Sequence, residues 1–169
     1  AEKGIGWVSE NRPSTEGTTV FLPEFVEEFV ERDQNFSVYK VFATHQAAHL
    51  EFGSFFFRFA RGGNLFETRR HEVEQQRLAS GAQHERERGH LTDMERFFDL
   101  FNDRQVASDV FAIAEDTRID TLVRREYGGI RKAWQRTQEN ELETRVLPNT
   151  MPLRQAFVEN LIRASLDGA

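Results

Sequence analysis

The chain has no cysteine among its 169 residues. Disulfides, thiolate metal sites and cysteine nucleophiles are therefore excluded, and the composition fits a reducing compartment; a cytoplasmic location is the expectation. No run approaches the roughly 18 apolar residues that a membrane span needs. The first residues carry no basic region followed by an apolar stretch, so they do not read as a secretory leader. Basic charge is in deficit: 22 Lys and Arg stand against 28 Asp and Glu, a net charge of −6, which is a poor balance for holding nucleic-acid phosphates. Lysine itself is nearly absent, with 3 residues against 19 Arg. Arg favours hydrogen-bonded networks with carboxylates over loose solvation. What is abundant is phenylalanine, at 16 residues, a density that means either a deep core or an apolar surface that meets a partner.

The length fits one domain over 1–169 with a single sizeable core. Residues 5–9 and 18–22 read as two short strands, with Asn11, Pro13, Ser14 and Gly17 as the turn between them. A β-hairpin over 5–22 thus opens a helical region over 23–166. Pro23 suits a first helical position, and Phe25, Val26, Phe29 and Val30 form one face of a short helix ending near Arg32. Asp33, Gln34 and Asn35 offer an N-cap for a helix over 36–58, with Gly62 and Gly63 behind it. Residues 67–90 are mostly Glu, Arg, Gln and His and read as partly ordered, solvated helix. Thr92 and Glu95 have capping-box spacing. Further helices are expected over 103–126, 130–145 and 152–166, separated by Gly128-Gly129 and by Pro148 and Pro152. The fold class is mainly α.

One constellation carries chemistry. His45 and His49 stand four residues apart, on one helix face, at the spacing that lets two imidazoles share a metal ion. The run Val38, Phe42, His45, His49, Phe52, Phe56 steps by three and four, so both imidazoles interrupt an apolar stripe. Buried imidazoles need partners for their ring nitrogens. A metal ion meets that need, and so does a carboxylate in a buried polar network with Arg118 balancing the charge. The carboxylates lie in Glu115-Asp116-Thr117-Arg118-Ile119-Asp120. Either Glu115 or Asp116 is expected to join His45 and His49 around one zinc ion; Glu115, which continues the cleaner stripe (Ser108, Ala112, Ile119, Leu122), is the preferred third metal ligand. Asp116 or Asp120 is then free to orient a ligating imidazole. Catalysis is disfavoured. In the zinc-peptidase pattern His-Glu-x-x-His the Glu is the general base, and here that position is Gln46, a neutral amide. His71, His84 and His90 sit in the charged segment and read as solvated surface.

The residues also resemble a family. Asp33-Gln34-Asn35-Phe36, Lys40, the run from Thr44 to Gly53, then Phe101-Asn102-Asp103-Arg104, Ala114 to Asp120, and Arg124 to Arg131 are similar, in order, to the von Willebrand factor A-containing proteins of the NorD/CbbO type. The resemblance spans about residues 20–135. It implies an adaptor that works with a hexameric MoxR-type AAA+ ATPase on a target protein complex. In that family a von Willebrand A domain with an Asp-x-Ser-x-Ser metal motif follows; the motif does not occur here, so the chain reads as the region upstream of it and as a piece of a longer protein. The helical region further resembles a degenerate zincin, with Gln46 where a peptidase has Glu. The expected function is a non-catalytic protein-interaction module. Its rivals are a zinc-dependent hydrolase using His45, His49 and Glu115, and a structural spacer beside the von Willebrand A domain.

Overall fold

The structure is a computed structural model that describes residues 13–16, 18–61, 66–79 and 92–167. Among these, two short strands precede six α-helices: β1 Ser14–Glu16, β2 Thr19–Phe21, α1 Arg32–Glu51, α2 Glu67–Ala79, α3 Asp93–Phe98, α4 Arg104–Glu126, α5 Arg131–Thr144 and α6 Leu153–Asp167. The mainly helical class with an N-terminal hairpin holds. The hairpin pairs Ser14 with Phe21, Thr15 with Val20 and Glu16 with Thr19, antiparallel. Ser14, expected in the turn, is thus a strand residue, and the strand expected at 5–9 lies outside the described residues. No described helix is long and apolar enough to cross a membrane.

The chain divides into two compact units, one taking in residues up to Phe55 and from Asp109 onward, the other Phe56–Ser108. In the first, α1, α4 and α5 converge on Val41, Ala48, Ile119, Val123 and Trp134, with Phe52, Ile130 and Ala133 packed around them. Ile119 and Val123 are fully buried and Trp134 is nearly so. Each buried side chain of this size contributes about 1.5–3 kcal/mol. The hairpin rests on α1, and α6 packs on α5. Glu159 of α6 is buried and takes a two-pronged hydrogen bond from Arg145, at 2.7 Å to each oxygen. Arg145 also reaches Glu141 at 2.6 Å. Here the arginine bias serves a carboxylate network.

Two boundaries differ from the sequence reading. The short helix expected before Arg32 is absent. The Asn35 side chain accepts from the Phe29 N–H at 2.8 Å and donates to the Phe29 carbonyl, so it occupies the backbone groups a helix would need. Phe25 and Val30 are exposed there, so no buried face rewards helix formation. The next helix ends at Glu51, not near 58. Phe52 leaves helical geometry and Gly53 has φ 76°, the left-handed conformation that closes helices and favours glycine.

The second unit buries Phe59, Val73 and Leu100, with Phe57, Phe97 and Phe101 against them. The guanidinium groups of Arg96 and Arg70 lie over the Phe59 ring, at 4.2 and 4.7 Å from its centroid. Thr92 and Glu95 form the expected capping box. Asp103 caps the start of α4 by accepting from the Val106 N–H at 3.0 Å. The charged stretch from Glu67 is helical to Ala79, with Val73 as its buried anchor; the rest of 67–90 lies outside the described residues.

Candidate metal centre

α1 presents His45 and His49 one turn apart, and α4 brings a carboxylate to face them. His49 is 7% exposed as a residue, and the His45 side chain is 19% exposed. Their Nε2 atoms lie 3.1 Å apart. Asp116 Oδ1 is 3.4 Å from Nε2 of His49 and 3.7 Å from Nε2 of His45. His45, His49 and Asp116 form a group able to hold one metal ion.

Of the two carboxylates weighed, the one in this group is Asp116 rather than the preferred Glu115. The reason lies in the rotation of α4. Its innermost residues are Ile119 and Val123, and Asp116 and Asp120 share that face at helical spacing. Glu115, one position earlier, is turned about 100° away. It takes two hydrogen bonds from Arg118, at 2.6 and 2.8 Å, and the Ser54 hydroxyl lies beside it. The Arg118 bonds, opposed by burial and joined by Ser54, keep the Glu115 carboxyl below its ordinary range. Arg118 also donates to the Phe52 carbonyl at 3.2 Å, which ties α4 to the end of α1.

The outer nitrogens of both rings are anchored. His45 Nδ1–H donates to Asp120 Oδ1 at 2.9 Å, and Gln138 of α5 donates to the other Asp120 oxygen at 2.9 Å. Nδ1 of His49 lies 2.8 Å from Ser54 Oγ. A serine hydroxyl has one proton, and the neighbouring Glu115 carboxylate can only accept, which favours the tautomer in which Ser54 turns its proton to Glu115 and accepts from His49 Nδ1–H. The glycine turn at 53 is what brings Ser54 back beneath His49. With each proton held at Nδ1, the Nε2 lone pairs point inward.

Three electron-pair donors at these separations favour a cation between them. A proton is one. Burial opposes charge on His45, but the close Asp116 carboxylate, the hydrogen bond to Asp120 and the charges of both push its pKa from 6.5 up to about 9. Burial likewise disfavours the charge on Asp116, yet the two imidazoles beside it, His45 and His49, hold its pKa below the usual value. A divalent metal is the other. Two ligands on a tetrahedral zinc, each at about 2.0–2.1 Å, stand roughly 3.3 Å apart. The three separations of 3.1, 3.4 and 3.7 Å bracket that value, so the donor set fits the ion. The Asp116 side chain is 48% exposed, so one side of the group opens to solvent.

Gln46, beside His45, faces the hairpin: the Thr15 hydroxyl lies 2.7 Å from its side-chain oxygen and 3.1 Å from its backbone carbonyl. Trp134 packs its ring 5.8 Å from that of His45. Ser54, Trp134 and Gln138 were not legible as site residues. Trp134 and Gln138 do stand four apart, the spacing of one helix face, but only knowledge of which helix packs where gives that spacing a meaning. His71 is exposed; His84 and His90 lie outside the described residues.

Comparison of the chain with protein-family models, with curated proteins and with solved structures finds no match.

Proposed function

We propose that this chain is a non-hydrolytic protein-interaction module whose first unit is clasped by one zinc ion on His45, His49 and Asp116. The spacing of the three donor atoms, with both Nδ1 protons already committed to Asp120 and Ser54, carries the metal reading. The engagement of Gln46 with Thr15 carries the non-hydrolytic one. The position that would supply a base to a metal-bound water holds a neutral amide, and that amide is occupied by the hairpin. Zinc here ties α1 to α4 and has a structural role.

The partner class follows from the resemblance to the NorD/CbbO type: a MoxR-type AAA+ ATPase and the complex it remodels, in the cytoplasm. Exposed Phe21, Phe25, Phe36 and Phe157 in the first unit provide apolar surface for such contacts. The test has two parts. Elemental analysis of the purified protein should return about one zinc per chain, lost in His45→Ala. Deleting this region from the full-length protein should abolish activation of the target while the isolated ATPase keeps its basal hydrolysis. Retained activation without this region makes it a spacer.

One observation favours a second reading, a zinc-dependent hydrolase: the half-exposed Asp116 leaves a solvent-facing side on which a metal-bound water could sit. Turnover of peptide or ester substrates that disappears in His45→Ala would establish it.

A further inference from the structure

We infer that Gln138 on α5 is a positioning residue for the metal centre, so that metal occupancy and the docking of α5 are one coupled equilibrium. The inference rests on the metal reading above and extends it to a helix that supplies no ligand. Asp120 has two oxygens with two different duties. Oδ1 accepts the Nδ1 proton of His45, and Oδ2 accepts from the Gln138 amide, each at 2.9 Å. A carboxylate held at one oxygen alone can pivot about its Cβ–Cγ bond. Held at both, it fixes the plane of the His45 ring and hence the direction of the Nε2 lone pair. One turn before Gln138 on the same helix, Trp134 is 2% exposed and lies against the His45 ring. The inner face of α5 therefore grips the same imidazole twice, once through packing and once through Asp120.

This grip works in both directions. Coupling between two sites is reciprocal: whatever α5 adds to metal affinity, the metal adds to the docking of α5. Groups that orient a ligating imidazole typically change metal affinity by about 10–100-fold when removed. His49 is anchored separately, through Ser54 and Glu115, so its orientation is independent of α5.

The experiment uses the whole chain and zinc. Zinc affinity is measured by competition with a chromophoric chelator for wild type, Gln138→Met, Gln135→Met and His45→Ala. Gln138→Met keeps the side-chain length and removes the donor. Gln135 lies on the same helix and donates to Glu139 at the surface, so its replacement is the control. Gln138→Met should weaken zinc binding by about tenfold or more and shift the visible spectrum of the cobalt-loaded protein; Gln135→Met should do neither. Affinity within twofold of wild type in folded Gln138→Met, while His45→Ala abolishes binding, overturns the role of Gln138 and leaves the metal reading intact. Wild type that binds no zinc overturns both. Should Gln138→Met fail to fold, hydrogen exchange of wild type decides: zinc should slow exchange of the α5 amides, and unchanged α5 protection with slowed α1 and α4 overturns the coupling.

Discussion

His45 and His49 turn the same ring atom toward each other, Nε2 to Nε2 at 3.1 Å, while each gives its Nδ1 proton to a different neighbour. Two neutral imidazoles in that arrangement would repel through their lone pairs. A positive charge between them and Asp116, a proton or a metal ion, would remove that repulsion.

Replacing the two neighbouring carboxylates separates ligand from support. Asp116→Ala should lose stoichiometric zinc. Glu115→Gln should retain it with affinity reduced by no more than about tenfold, because it acts through Ser54 rather than on the ion. Zinc content after gel filtration reads the result; the reverse ranking would restore Glu115 as the ligand.

Zinc affinity should depend on pH in a known direction. The folded-state pKa of His45 is raised from 6.5 to about 9. The proton therefore stabilises the metal-free fold fully below about pH 6.5, and that contribution is lost as pH rises through about 9. Zinc has to displace this proton, so affinity should climb toward pH 9 by up to about tenfold per unit. Calorimetry in buffers of different ionisation enthalpy should record proton release near neutral pH. A flat profile between pH 7 and 9 would contradict the assignment.

Zinc should also raise thermal stability. A ligand that binds only the folded state at 100 times its dissociation constant adds about 2.7 kcal/mol. A chelator should remove that increment from wild type and change nothing in His49→Ala.

The Arg145–Glu159 pair makes a test independent of metal. The side chains are 17% and 8% exposed. Glu159→Ala leaves the largely buried Arg145 with Glu141 alone, so it should cost about 1–3 kcal/mol in urea unfolding. Replacing both, as Arg145→Met with Glu159→Leu, should recover most of the loss. A cost below about 1 kcal/mol for the single change would mean that water reaches Arg145.

Gln46→Glu alone should not create peptidase activity. Thr15 can donate to a carboxylate as readily as to an amide, so the new side chain should stay bound to the hairpin. Cleavage of a general protein substrate by this variant, abolished by His45→Ala, would show that only the missing base had silenced the site.

Much of this arrangement can be read from the residues, and the remainder fails for identifiable reasons. The His45/His49 pair is legible because helical periodicity is local: four residues make a turn whatever surrounds them. The choice between Glu115 and Asp116 is not local. Both border apolar stripes that share Ile119, and only the burial of Val123 rather than Leu122 decides which way α4 is turned. The end of α1 is not legible because the apolar run continues to Phe56 while Gly53 breaks the backbone first; Phe56 ends 76% exposed. The absent helix before Arg32 has the right amphipathic pattern, but Asn35 competes for the Phe29 backbone, an interaction that depends on geometry rather than on composition.

The packing of Trp134 against His45 has an optical consequence. The chain has two tryptophans, and Trp134 holds its indole 5.8 Å from a ring that carries a proton below about pH 9. A protonated imidazole at that range accepts an electron from excited indole and quenches its emission; an imidazole bound to zinc, whose d shell is full, quenches far less. In a Trp7→Phe background the remaining fluorescence therefore becomes a built-in gauge of what lies between His45 and His49, brightening as the metal displaces the proton and dimming again when a chelator withdraws it.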